Sequence, residues 1–229
     1  MPITLQRRAS PPKSWNLSEQ LSLAFERKSY VDFELFCKGT SILVHKAAVC
    51  TQSDVIAAAK CWGDFGCNRY NFLDDDLALV ERLVEAFYTG RYREEVLEGE
   101  FSDEPINTIQ LHVRMYLLAD KYQCDGVKEL ALDRFGVEIR KTAQYFDFFA
   151  AIPEIFQDCS VLRELQELAV DRAKKILATQ SQRSERYALY KEALEKAPSF
   201  GRHLLDVFVR APRGWNEDGG SPTKRQRSA

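Results

Sequence analysis

Apolar and polar positions change period several times along this chain, and each change marks an element. From Val31 to Cys37 the apolar residues Val31, Phe33, Leu35 and Cys37 alternate with Asp32, Glu34 and Phe36, the period of two that predicts a strand. Lys38, Gly39 and Thr40 supply a turn, and Ile42 to Val44 is the return strand of a hairpin. Upstream, Ser18 is placed to cap a helix running to about Lys28, with Leu21 and Phe25 one turn apart. After His45 the small apolar residues Ala47, Ala48, Val49 and Cys50 predict a short helix, and Ser53 or Asp54 is positioned to cap another over Val55 to Cys61.

The second half reads as increasingly helical. Tyr70 to Leu73 predicts a short strand, and the acids Asp74, Asp75 and Asp76 lie where the positive end of the next helix dipole would favour them. That helix, Leu77 to Tyr88, carries Leu79, Val80, Leu83, Val84, Phe87 and Tyr88 on one stripe and stops at Gly90, a natural left-handed cap. An acidic run between residues 93 and 104 is too charged to pack and reads as a solvated insertion, with capture of a basic partner as the alternative. Ile109 to Tyr122 and Gly126 to Phe135 predict a helical pair split at Cys124, Asp125 and Gly126. Four further helical stretches follow near 142–150, 160–178, 184–196 and 199–209, with Pro153 and Pro198 as boundaries. In the second of these, Leu162, Leu165, Leu168, Ala169 and Ile176 form a stripe expected to pack on the core.

Composition and charge narrow what such elements can do. The 229 residues, 45% of them apolar, suffice for one sizeable core or a smaller core with a helical extension. Charge breaks every apolar run well before the roughly 18 residues a membrane helix needs, and no apolar stretch follows the basic N-terminus, so the expectation is an intracellular protein, nuclear or cytoplasmic, with no membrane contact. Six cysteines stand singly at 37, 50, 61, 67, 124 and 159, a spacing that reads as reduced thiols. Each end of the chain carries +3: Arg7, Arg8 and Lys13 without an acid before residue 17, and five bases against Glu217 and Asp218 after residue 209. The net charge of -2 therefore leaves the body between them strongly acidic, which argues against nucleic-acid binding by the folded part. Both ends are expected to be disordered, and Lys224 to Arg227 (KRQR) reads either as a solvated tail or as a nuclear-import signal.

His45 between Cys37, Lys46 and Cys50 raises the question of chemistry. A metal site needs three or four converging ligands, and the chain has neither a CxxC nor a closely spaced histidine pair; His45, His112 and His203 fall in three different elements. A Cys-His nucleophile needs an exposed, low-pKa thiolate and an orienting third group, whereas Cys37 and Cys50 take apolar-facing positions. With no phosphate loop or convergent polar cluster in view, no cofactor, metal or catalytic residue is assigned, and an enzyme with an unrecognised site is the remote alternative.

Three stretches resemble the BTB/POZ domain family, in particular the stand-alone BTB proteins of filamentous fungi: YVDFELFCKGTSILVHKAAVCTQSDVIAAA at 30–59, LVERLVEAFYTGRY at 79–92 and HVRMYLLADKYQCDGVKELALDRF at 112–135. The resemblance covers about 105 residues, and PSFGRHLLDVF at 198–208 looks like the looser C-terminal extension of the same fungal group. It implies an α+β fold, a small sheet packed with a cluster of helices, over 18–135, with a basic N-terminus at 1–17, a helical extension over 136–210 and a tail at 211–229. It further implies a non-enzymatic interaction module that forms homodimers through the first helix, with Leu21 and Phe25 at the contact. Asp32 and Lys46 would form a charged pair near that interface, or else pair inside one subunit. One family use is as an adaptor for a cullin-based ubiquitin ligase, for which Trp62 and Asp64 match a hydrophobic-x-acid motif; Trp62 serves equally well as a core residue. A transcriptional or scaffolding factor without a ligase link is the alternative. The resemblance makes His45 a buried structural residue at a strand-to-helix junction.

Overall fold

The hairpin forms because its two turn residues can both take positive φ. In a computed structural model, which describes residues 16–59, 68–96, 106–141, 145–157, 160–178 and 183–210, Lys38 (φ 45°) and Gly39 (φ 86°) make a tight connection whose twist matches the flanking strands. β1 (Phe33–Cys37) buries Phe33, Leu35 and Cys37. β2 (Thr40–Val44) runs back antiparallel, Phe33 opposite Val44 and Cys37 opposite Thr40. A third strand, β3 (Arg69–Phe72), joins the other edge of β1 in parallel, giving the order β2-β1-β3. A parallel neighbour requires a crossover. Here it contains α2 (Lys46–Cys50) and α3 (Asp54–Ala59). Of the two candidate caps for α3, Ser53 does the work: its Oγ accepts from Ile56 N–H at 3.2 Å and donates to the Tyr122 carbonyl at 2.7 Å.

The first helix, α1 (Leu17–Glu26), corrects the expected cap. The side chain of Asn16 accepts from Ser18 N–H at 3.1 Å, so Ser18 lies inside the first turn, and the helix stops before Lys28, which takes φ 51°. α4 (Leu77–Thr89) buries the whole predicted stripe and ends at Gly90 (φ 67°), whose N–H donates to Ala86 O at 2.9 Å. Arg82 is fully buried on this helix. Its guanidinium donates to the carbonyls of Ala78, Arg93 and Glu95 at 2.7–3.0 Å, which fixes the segment leaving the helix. The three acids before α4 do not act together on its dipole as expected. Asp75 is buried and accepts from Lys121 Nζ and the Tyr122 hydroxyl, and Asp76 pairs with Lys38, so both are spent on tertiary contacts.

α5 (Thr108–Lys121) opens with a reciprocal capping box between Asn107 and Gln110. The turn into α6 (Asp125–Glu138) is made by Gln123 at φ 50°, so the helical pair divides one step earlier than predicted, and Asp125 and Gly126 already belong to α6. α7 (Tyr145–Ile155) runs through Pro153 instead of ending there. Proline there sits in the last turn, where one lost backbone bond is tolerated inside an apolar packing face. A 3₁₀ turn (Ser160–Leu162) leads into α8 (Arg163–Ala178), followed by α9 (Arg183–Lys196) and α10 (Pro198–Arg210), where Pro198 takes the first helical position.

One apolar core runs from the sheet through α4, α5 and α6 into α7 to α10. The stripe on α8 contributes as predicted, with Leu168 only partly covered. Polar ties across the same seam include Arg114 with Glu154 (2.8 Å), Tyr116 with Glu164 (2.7 Å) and Asn107 Nδ2 with the Asp147 carbonyl (3.1 Å). The result is the α+β arrangement expected: a small sheet with a cluster of helices, then a helical extension.

Candidate interaction surface

Tyr88, near the end of α4, organises the surface around α1. Its ring stacks on Phe25 with centroids 4.3 Å apart. Its carbonyl, one of the last four of α4 and so without an intrahelical partner, accepts from the hydroxyls of Ser18 (3.2 Å) and Ser22 (3.0 Å). Its own hydroxyl accepts from His45 N–H at 2.7 Å and lies 2.9 Å from His45 Nδ1. His45 Nε2 meets the Ser29 carbonyl at 2.9 Å. A carbonyl can only accept, so Nε2 carries the hydrogen and Nδ1 accepts from the tyrosine. His45 is thus buried and engaged at both ring nitrogens, as the reading of a structural histidine expected.

Leu21 and Phe25 are half-buried against the core, and no residue of α1 is fully buried. Leu17 is 71% exposed. Between α1, β2 and α4 lies an open groove of about 520 Å³ with Phe25, Ile42, Val84 and Tyr88 on its walls and Glu26, Glu81, Glu85 and Arg91 along it. Glu81 and Glu85 stand one turn apart on α4. Reading α4 only for its apolar stripe passed over them, although their spacing is the signal that places both on one side.

Asp32 and Lys46 do meet, through the backbone. The Asp32 carboxylate accepts from Lys46 N–H at 2.7 Å, satisfying one free amide at the start of α2, while Lys46 Nζ donates to Asn68 Oδ1 at 3.3 Å. Asp32 is exposed, so the large penalty of an orphaned buried charge does not apply to it. Trp62 and Asp64 lie outside the described residues.

The chemistry-bearing side chains are dispersed. Cys37 is buried, its thiol donates to the Asp75 carbonyl at 3.3 Å, and burial pushes its pKa up, away from nucleophile behaviour. Cys124 is buried as well, and desolvation raises its thiol to about 11. His112 pairs with the Tyr92 hydroxyl at 2.9 Å and His203 with the Ser199 carbonyl. Among the described residues, no three His, Cys, Asp or Glu side chains gather in a way that could hold a metal ion.

No protein-family model and no curated protein matches the chain. Among solved structures it is similar to the BTB domain of zebrafish PATZ1, at 12% identity and a TM-score of 0.39 over 53% of this chain and 96% of that one. It is also similar to the BTB domain of human gigaxonin, at 15% identity and a TM-score of 0.37 over 55% of this chain and 98% of that one. The described fold builds, in order, the strand, turn, strand, His-Lys junction and short helices that the BTB/POZ resemblance implied.

Proposed function

We propose that this BTB/POZ-type fold, over residues 18–135, is a non-enzymatic protein-interaction module that self-associates and recruits protein partners, with 136–210 as its helical extension. The observation that carries the reading is the seat of α1: an amphipathic helix with no fully buried residue, on which Leu17 is 71% exposed. A helix left half-covered by its own subunit keeps apolar surface for a partner helix. On this reading Leu21 and Phe25 border the self-association contact, and Asp32 and Lys46 flank it. The unpaired, mostly buried thiols of Cys37, Cys50 and Cys124 support an intracellular setting, nuclear or cytoplasmic. No described helix is long and apolar enough to cross a membrane.

The recruiting role we favour is that of an adaptor for a cullin-based ubiquitin ligase through Trp62 and Asp64; a transcriptional or scaffolding factor would use the same self-associating surface without that contact. Light scattering coupled to gel filtration tests the first step. The wild type is expected to run as a dimer and Leu17→Glu, a change at an exposed position, to shift it toward monomer; a monomeric wild type at tens of micromolar would refute self-association. Pulldown with purified cullin separates the two roles: capture by the wild type and loss with Trp62→Ala supports the adaptor, and capture of neither ends it.

A further inference from the structure

We propose that the groove between α1 and α4 is the docking site of the chain's own first fifteen residues. Its floor is apolar, with Phe25, Val84 and Tyr88, and three carboxylates rim it: Glu26 from α1, Glu81 and Glu85 from α4. Arg91 is the one base among its described lining residues. Glu85 accepts from Arg93 N–H at 3.0 Å and Glu81 lies 3.9 Å from the Arg93 guanidinium. Glu81 stays 47% exposed, so its charge still faces an incoming cation. An apolar slot edged by acids fits a peptide that carries both apolar residues and bases.

The segment preceding α1 has that chemistry. Residues 1–15 contain Arg7, Arg8 and Lys13 and no acid, together with Ile3, Leu5 and Trp15. They run directly into Asn16, the cap of the helix that forms one wall of the groove. Fifteen residues reach up to about 50 Å when extended, and the ten-residue α1 is about 15 Å long, so the segment can fold back along the helix. A short tether holds it at an effective concentration on the order of millimolar, at which modest contacts suffice. The chain's other basic run follows α10, which does not line the groove. Docking in cis does not depend on self-association, and its failure would leave the light-scattering result standing.

Limited trypsinolysis of the full chain tests the proposal, because cleavage tracks the undocked population when docking is fast. Cutting after Arg7 and Arg8 is expected to be about fivefold or more slower than cutting after Lys224, Arg225 and Arg227, which serve as internal reference. The triple change Glu26→Gln, Glu81→Gln, Glu85→Gln, which retains the acceptor for Arg93 N–H, is expected to bring the two rates within about twofold. Raising NaCl from about 0.05 to 1 M should do the same to the unmodified chain. Equal rates at both ends of the wild type, or protection that survives both charge removal and salt, overturns the proposal. So does cross-linking of Lys13 to the groove that, in a mixture of heavy- and light-isotope chains, joins heavy to light, because the occupant is then a second copy.

Discussion

The hydroxyl of Tyr88 lies within hydrogen-bond distance of two nitrogens of His45, the backbone N–H at 2.7 Å and Nδ1 at 2.9 Å, and so joins the end of α4 to the junction between β2 and α2. Tyr88→Phe removes both bonds and leaves the stack on Phe25 in place. Two buried groups of His45 then lose their partner, which should cost about 1–3 kcal/mol. Urea unfolding of the two proteins measures it. A loss under about 0.5 kcal/mol would mean that the hydroxyl is not a structural tie.

Asp75 and Tyr122 form a second tie, between the loop before α4 and the end of α5. The Tyr122 hydroxyl donates to Asp75 Oδ2 at 2.5 Å, and burial together with that bond raises the phenol well above its ordinary pKa. A double-mutant cycle with Asp75→Ala and Tyr122→Phe should return a coupling on the order of 1–3 kcal/mol. Lys121, also bonded to Asp75 but half-exposed, should couple by no more than about 1 kcal/mol. Equal coupling for the two partners would contradict the role of burial.

The contact of Asp32 with Lys46 predicts independence of the two side chains. Asp32→Ala removes a carboxylate from the start of α2 and should cost about 1 kcal/mol. Lys46→Ala keeps the backbone N–H that Asp32 binds. The double variant should therefore equal the sum of the singles within about 0.5 kcal/mol. A clear departure from additivity in chemical denaturation would restore a side-chain ion pair.

His112 makes stability depend on pH. Burial lowers its pKa from 6.5 to about 4, against a smaller opposing pull from Glu138; Arg134 and Lys141 add to the lowering, and the Tyr92 hydroxyl holds Nδ1. Nε2 is buried without a hydrogen-bond partner, so the added proton would be poorly accommodated. Between these two values the unfolded chain binds a proton that the folded chain refuses. Stability then falls as pH drops from about 6.5 toward 4, by a contribution on the order of 3 kcal/mol. His112→Gln, which can still bond Tyr92, should reduce the difference in urea midpoint between pH 7.5 and pH 4.5; an unchanged difference would assign the pH effect to other groups.

Elements whose cause is local were legible from the sequence. The alternation of β1, the stripe of α4 and the left-handed cap at Gly90 each depend on neighbours a few residues away, and all three form as read. Misreadings arose where a distant contact decides. Nothing near Asp75 indicates that Lys121 and Tyr122 will bury it, and nothing near Pro153 indicates that an apolar face will carry α7 past it. Gln123 at φ 50° concealed the start of α6, because Gly126, three residues on, offered the more conventional turn residue. At the surface, the family resemblance pointed to Leu21 and Phe25, while the groove beside them takes its acids from two elements, Glu26 of α1 and Glu81 and Glu85 of α4, which only the tertiary fold brings together.

The seam between α5 and the later helices bears on how the chain comes apart. Phe148, Phe149, Ile152 and Ile155 of α7 are buried in the same core as Ile109, Val113 and Met115 of α5, and Glu154 spans to Gln110 and Arg114. Ending the chain after Glu138 would strip that cover and bare an oily flank on α5. The short fragment should thus clump when expressed alone, while the longer chain melts in a single step, front and rear together.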